Sequence, residues 1–449
     1  MKTEKENRLG ISEKLCYSAG DCGSQIYVTL CTYFLTGFYT DTVGIAAAAI
    51  GTMMLFARLF DGTSDLIMGA ILDKTKSKYG KARPWILWTA PLMGIALIAM
   101  FTVPSSFGDS GKLVYAYFTY ILLNCIIYTA NGIAYNSLLA RMTLNIQDRV
   151  SCTSWRFVLG NLVVLLINAV TANLVTTLGW SRLIVIYGIV EAALLLVCFA
   201  GCRERIDADQ EGAVEAEKIP LKMALPALLK NKYFYLQALM MVFLYINIMT
   251  VGNMMYYFCN TVLGSLAAMT QVSMCYNIPT IIGSLINPAL VKKFGKRKVM
   301  IGAFIVSMIG RAVVGAGGTN MILVLAGCAL HGLALGPIYA DVFAMTPDII
   351  DYGEWKTGIR SEGLTTCCVS FGMKVGLGLG AFVASWILEI GGYDGMAAAQ
   401  ADSAISSIQF GFGYASVILS AICLAIILAM NIDKDIDQIQ EDLMAKHRA

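Results

Sequence analysis

"ARLFDGTSDLIMGAILDKTKSKYGKARPW", residues 57–85, decides how this chain is read. Its first half is apolar enough to lie in a lipid core, yet it carries Arg58, Asp61 and Asp65. Its second half is a basic run of Lys74, Lys76, Lys78, Lys81 and Arg83. An unrelieved charge at the centre of a membrane helix costs from about 3 to more than 10 kcal/mol, so such residues meet a partner, a water-filled cavity or a ligand. Asp61 and Asp65 are four apart and share one helical stripe with Ser64; Arg58 lies one turn before Asp61. Two carboxylates and a hydroxyl form a hard-oxygen set that suits a hard cation, and a close carboxylate pair can also carry a proton. Neutralisation of Asp61 by Arg58 accounts for one carboxylate without any ligand and leaves Asp65 to be explained.

The surrounding chain fits a lipid solvent. Of its 449 residues 57% are hydrophobic and 14% charged, where a soluble domain has about 25% charged residues. Too little polar surface is available to cover a soluble particle, so the chain reads as an integral membrane protein, without nucleic-acid partners. The opening MKTEKENRLG has no small-residue cleavage site before the first apolar run, so that run itself is expected to direct insertion. The 13 cysteines are scattered through apolar segments with no metal-ligand spacing and read as small buried hydrophobes. Neither a structural metal nor a cofactor is expected.

A membrane-spanning helix needs about 20 apolar residues. Twelve segments qualify: 15–40, 45–72, 84–104, 113–140, 153–177, 182–202, 233–259, 267–291, 298–317, 320–346, 364–389 and 406–431. The polar stretch containing RERIDADQEGAVEAEK divides them six and six. The expected organisation is a first six-helix bundle over 1–203, a central loop over 204–231, a second bundle over 232–431 and a tail over 432–449. Lys and Arg concentrate in the loops after spans two and eight and in the central loop, while DTVGI and GSLAAM carry none. By the positive-inside rule the even-numbered connections and both termini face the cytoplasm of a plasma (inner) membrane. GAILDKTKSKYGKARP after span two and NPALVKKFGKRKVM after span eight echo each other. Six plus six spans with such an echo resemble the major facilitator layout, in which two bundles rock around a site at the bilayer midplane.

Other polar residues fall inside spans. Asp21 lies between Gly20 and Gly23 in span one, where a carboxylate could accept from vicinal sugar hydroxyls or from a neighbouring helix. Lys374 is central in span eleven, flanked by glycines 372, 376, 378 and 380 that thin the helix. Span four carries Asn124, Thr129, Asn131 and Asn136, a density that points to a polar cavity as well as to interhelical hydrogen bonds. Tyr33, Tyr135, Tyr256, Tyr257 and Tyr339 are available for stacking or packing. His331 reads as a packing residue.

These residues, in this order, resemble the glycoside–pentoside–hexuronide:cation symporters, the melibiose-permease-like group of the major facilitator superfamily. YSAGDCGSQIYVTLCTYFLTGFYTDTVGI is similar to that family's opening motif, residues 57–85 to its span-two signature, and PDIIDYGEWKTGIRSEGLTTCCVSFGMKVGLGLG to its late motif and span-eleven lysine. The resemblance implies an all-α, twelve-helix carrier of 6+6 pseudo-two-fold architecture. It would import a glycoside, pentoside or hexuronide with Na+ or H+, as a monomer surrounded by lipid. It implies a cation site of Asp61, Ser64, Asp65 and Thr129. The implied sugar site comprises Asp21, Tyr33, Asn131, Asn136, Arg156, Tyr339 and Lys374. Arg58, Asp348, Asp351, Tyr352, Glu354, Arg360 and Glu362 are implied in gating, the last six in a cytoplasmic loop before span eleven. Several positions depart from the melibiose-permease pattern. Gly20 stands for a lysine, Gly132 for a span-four aspartate, Asn136 for a tryptophan, Ser64 for an asparagine, and Leu66 where proline is frequent. The sugar pocket is therefore expected to differ from a melibiose pocket, and the loss of the span-four carboxylate to suit a different hydroxyl pattern or an anionic sugar such as a glucuronide. A carrier of the same fold for a lipid or drug-like amphiphile is the alternative. An enzyme would need a nucleophile or metal constellation that is not visible, and a receptor a longer tail than the one after Asn431.

Overall fold

The computed structural model describes residues 8–143, 145–206, 226, 228, 230–360, 362–432 and 436–448, without side chains at 66, 146, 362, 363, 437 and 444–448. Every regular element among them is helical. In chain order these are α1 (Ile11–Tyr33), α2 (Ala47–Lys74), α3 (Arg83–Met100), α4 (Asp109–Met142), α5 (Ile146–Leu178) and α6 (Trp180–Gly201). They continue with α7 (Lys232–Val262), α8 (Ala268–Phe294), α9 (Lys296–Gly317) and α10 (Met321–Ala344). The last are α11 (Thr346–Thr357), α12 (Glu362–Gly391), α13 (Asp402–Ala429) and α14 (Ile436–Arg448).

By length and apolarity, 10 spans of the described residues can cross a membrane. They include α3–α9, α12 and α13, and one that runs through α10 into α11. The two other long helices, α1 and α2, stand where the first two spans are expected. Their polar load sets them apart: α1 contains Asp21, and α2 contains Arg58, Asp61 and Asp65.

Helix ends follow local chemistry. Asn145, Asn231 and Asn320 cap α5, α7 and α10 by accepting from backbone N–H groups of the first turn. Gly179 (φ 73°) turns α5 directly into α6, and Gly295 (φ 82°) turns α8 into α9, backbone conformations that a Cβ would strain.

The chain falls into two compact units, α1–α6 and α7–α14. In the first, α1 packs on α5 and α6, and α3 on α6. A Cβ at Gly94 would run into the Gly188 carbonyl, so these two glycines set the approach of α3 to α6. In the second, α8 and α9 pack on α10, and α7 on α12. The glycines around Lys374 acquire a role here. Gly372, Gly376 and Gly380 form a stripe at four-residue spacing that lies against the α7 backbone at Ala238, Val242 and Ile246.

The internal echo is structural as well as sequential. α1 is continued into a π-helical turn, Phe38–Val43, before Gly44 (φ 80°); α7 ends in another, Phe258–Val262, before Gly264 (φ 67°). Arg83, opening α3, donates to the Phe199 carbonyl near the end of α6 (2.8 Å). Arg297, opening α9, donates to the Leu428 carbonyl near the end of α13 (2.6 Å). The basic run after α2 is closed by Glu204, whose carboxylate accepts from the backbone N–H of Lys81, Ala82 and Arg83 (3.0, 2.8 and 2.8 Å). Three donors at the start of α3 thus receive an anion where the helix dipole favours one. Of the expected central loop, residues 207–225 lie outside the description. Its first residues dock on the first unit, the N–H groups of Arg205 and Ile206 both donating to the Arg141 carbonyl.

One expectation is corrected. The segment before span eleven is not a loop: Asp348, Asp351, Tyr352 and Glu354 lie on α11. Pro347 sits in its first turn, and Gly358 (φ 74°) ends it in the left-handed conformation, the arrangement these residues favour at helix starts and stops.

Candidate functional site

Two polar clusters stand inside the first unit. The first centres on Asp61, which is 3% exposed. Arg58 Nη1 donates to Asp61 Oδ2 (3.0 Å), and Thr129 Oγ1 lies 3.4 Å from Asp61 Oδ1. Ser64 Oγ donates to the Asp61 carbonyl (3.0 Å) and lies 3.5 Å from Thr129 Oγ1. Asp65, half-buried, follows Asp61 by one turn. α4 runs as a π-helix over Leu122–Tyr128, immediately before Thr129. Such a turn shifts the helix register by one residue and is frequent at functional sites; here it precedes the hydroxyl that meets Asp61. Tyr27, Tyr120 and Tyr128 lie near the Arg58 guanidinium. Tyr27 in turn donates to Asn124 Oδ1 (2.6 Å). Arg58, expected in gating, is ion-paired with Asp61.

The second cluster joins α1, α4 and α5. Arg156 Nε donates to Asp21 Oδ1 (3.0 Å), and Arg156 Nη1 donates to Asn136 Oδ1 (3.0 Å). The guanidinium also lies 5.0 Å from the centre of the Tyr135 ring. Tyr135 stacks on Tyr17 with centroids 4.6 Å apart and planes 10° apart, and its hydroxyl donates to the Tyr17 carbonyl. Gln25 lies one turn along α1 from Asp21 and beside its carboxylate. The cluster combines a carboxylate, a guanidinium, an amide and an aromatic pair. The Arg156 side chain keeps 33% of its surface open. A Cβ at Gly132 would meet nothing within 4 Å, and one at Gly160 would stand 2.6 Å from Asp21 Oδ2. Such a set can donate to and accept from vicinal hydroxyls beside a ring face.

The remaining expected residues are distributed. Asn131 is fully buried and donates to Thr89 Oγ1 on α3 (2.8 Å), which makes it an interhelical tie apart from the Asp21 cluster. Tyr33 is the last residue of α1. Tyr339, on α10, hydrogen-bonds Tyr276, and Lys374 is half-buried on α12; both belong to the second unit. His331 packs at 2% exposure with Nδ1 2.8 Å from Ser307 Oγ. Of the expected gating residues, Asp348 accepts from Lys296 (2.6 Å). Arg360 bridges Asp351 (2.9 Å) and Glu354 (2.8 Å), and these two carboxylates hold its guanidinium more firmly protonated than usual. Tyr352 meets Tyr233 edge-on at 4.7 Å. α14 packs on α11, where Trp355 Nε1 donates to Asp442 Oδ2 (2.9 Å). The side chain of Glu362 lies outside the described residues. Sequence reasoning did not single out Tyr17, Gln25 and Gly160 around Asp21, nor Glu204.

A family model described as MFS/sugar transport protein matches residues 16–434. The isoprimeverose transporter of Lactiplantibacillus pentosus is 29% identical over 98% of this chain and 93% of its own. The uncharacterized symporter YnaJ of Bacillus subtilis is 32% identical over 88% of this chain and 86% of its own. The glucuronide carrier protein homolog of Escherichia coli is 28% identical over 84% and 83%. Among solved structures, a D-xylose-proton symporter superposes with TM-score 0.65 at 14% identity, over 93% of this chain and 96% of its own. That last likeness is one of fold.

Proposed function

Because the chain belongs to the MFS/sugar transport protein family, we propose that it is a secondary active symporter that imports a sugar or glycoside together with Na+ or H+ by alternating access. The family is one of transporters, not enzymes, and the chain is a multi-pass membrane protein. The observation that carries the reading is the pairing, within one unit, of a buried carboxylate–hydroxyl set around Asp61 with the Asp21–Arg156–Asn136 cluster beside the Tyr17–Tyr135 stack.

In this reading Asp61 and Asp65 hold the cation, with Ser64 and Thr129 as neutral oxygen ligands. Arg58 is the charge that the cation competes with: an incoming Na+ or proton relieves Asp61 of its need for the guanidinium. Asp21, Arg156 and Asn136 take sugar hydroxyls. Asp21 and Arg156 offset each other, so this part of the pocket is neutral overall and suits an uncharged glycoside or pentoside better than a hexuronate. Tyr33, Tyr339 and Lys374 are further contributors on the strength of the family resemblance, while Asn131 ties α4 to α3. The Lys296–Asp348 pair and the Arg360–Asp351–Glu354 group belong to the gating apparatus, together with Tyr352 and Glu362. The protein works as a monomer in the plasma membrane, its basic loops and termini in the cytoplasm. Coupling requires that each ligand bind one conformation better than another.

The test is charge movement in proteoliposomes. α- and β-glycosides, pentosides and glucuronides are added with and without Na+ at two pH values. A sugar-triggered current names the substrate class and separates the two cations; Asp65→Asn abolishes the current while leaving folded protein. Silence across the panel from folded, reconstituted protein overturns the reading.

A further inference from the structure

We propose that the basic turns after α2 and α8 are docking sites for anionic phospholipids, one on each unit. The proposal needs the membrane setting of the chain and does not rest on the transport reading.

Each turn divides its cations between two uses. In the first, Arg83 points inward to the Phe199 carbonyl, and the Glu204 carboxylate is taken up by three backbone N–H groups at the start of α3. In the second, Arg297 points to the Leu428 carbonyl and Lys296 pairs with Asp348. Left on the outside are Lys74, Lys76 and Lys78 in the first turn and Lys292, Lys293 and Lys298 in the second, all exposed. Among the described residues no carboxylate or carbonyl takes a hydrogen bond or an ion pair from any of the six. Acidic neighbours are few: the exposed Asp73 offsets one charge in the first turn, and ALVKKFGKRK (289–298) contains none.

Helix geometry joins these lysines to the apolar outer surface. On α2 the exposed Phe60, Ile67 and Ile71 are followed by Lys74 on the same face. On α8 the exposed Ile278, Ile282 and Leu285 are followed in the same way by Lys292. An ammonium group thus ends each apolar stripe, the arrangement in which a lysine stem lies on lipid and its head reaches the headgroups. Each turn also sets an exposed ring beside a lysine. Lys78 Nζ lies 5.0 Å from the centre of the Tyr79 ring, and Lys293 Nζ lies 5.2 Å from that of Phe294. A soluble anion would use the lysines and leave the apolar stripes without a role. An anionic phospholipid uses both: its phosphate meets the ammonium groups and its chains lie along the stripe. Basic clusters beside membrane helices attract lipids of net negative charge, whereas a zwitterionic headgroup brings a cation of its own.

Native mass spectrometry of the purified full chain provides the test, with phosphatidylglycerol and phosphatidylcholine of identical acyl chains as probes. The parent retains phosphatidylglycerol in preference to phosphatidylcholine. K74Q/K76Q/K78Q weakens phosphatidylglycerol binding at the first turn by about fivefold per lysine, the worth of one lysine near an anionic surface. K292Q/K293Q/K298Q does the same at the second. Arginine at the same positions keeps the preference, which separates charge from fold. Arg182→Gln, an exposed cation at the end of α6 remote from Glu204, leaves binding unchanged. The proposal is overturned if the parent binds the two lipids equally, or if either glutamine variant binds as the parent does. It is also overturned if glycerol phosphate displaces phosphatidylglycerol at equal concentration, which would mark a site for soluble anions.

Discussion

Gly160→Ala perturbs the proposed sugar site without altering any group that would touch sugar. Gly160 is buried on α5 against α1, and a Cβ built there stands 2.6 Å from Asp21 Oδ2, where ordinary contact begins at 3.4 Å. The carboxyl must therefore retreat by about 0.8 Å, a distance set by the gap between contact and overlap. It cannot do so freely, because its other oxygen is held by Arg156 Nε at 3.0 Å. The swing weakens or breaks one charge-assisted hydrogen bond, a loss of about 1.5–3 kcal/mol for a bond to a charged group. At 1.4 kcal/mol per factor of ten, sugar affinity falls by roughly 10- to 100-fold if Asp21 must be in place to bind. Equilibrium binding of the sugar identified by the current assay measures this in saturating cation. Cation affinity stays at the parent value, because the Asp61 cluster is untouched. Gly132→Ala is the control, since its Cβ meets nothing within 4 Å; it changes sugar affinity little. Parent-like sugar affinity in folded Gly160→Ala refutes the argument that the Asp21–Arg156 geometry sets binding.

Two further outcomes follow from the same geometry. Thr129→Val keeps the shape but removes the hydroxyl beside Asp61 and Ser64. It weakens cation affinity by roughly tenfold, the value of one hydrogen-bonding ligand, read as the Na+ or proton concentration that half-saturates uptake. Glu204→Gln removes the negative charge that accepts from three N–H groups at the start of α3. It destabilises the first unit by about 1–3 kcal/mol, visible as a lower thermal unfolding midpoint with sugar affinity retained.

Much of this architecture was legible in the chain because membrane helices announce themselves by length and apolarity. The Arg58–Asp61 contact follows directly from i, i+3 spacing. Other features depend on packing that spacing does not encode. Asn131 and Asn136 differ by five positions on α4, and only the surrounding helices decide that Asn131 reaches Thr89 while Asn136 reaches Arg156. The π-helical turn before Thr129 shifts register in a way that an ideal helical count does not reproduce. α11 is hard to read from the chain because its polar residues resemble a loop, although Pro347 and Gly358 are helix-end signals. Glu204 was hidden within a run of loop charges. Its partners are backbone groups more than 120 positions earlier, which no side-chain pattern marks.

The paired closures at Arg83 and Arg297 bear on how the chain is made. Each unit is fastened by contacts between the start of its third long helix and the residues near the end of its sixth. A ribosome that has released the chain just past Arg205 has supplied every group needed to fasten the first unit, Glu204 included. The second unit has no such early moment: Arg297 must wait for Ile427 and Leu428, close to the end of its final span. Biogenesis is therefore asymmetric although the two halves echo each other. The first half can settle before the second is made, whereas the second is fastened only once its own sixth long helix has been made. A chain stopped short of Leu428 would carry a finished first half and an unfastened second.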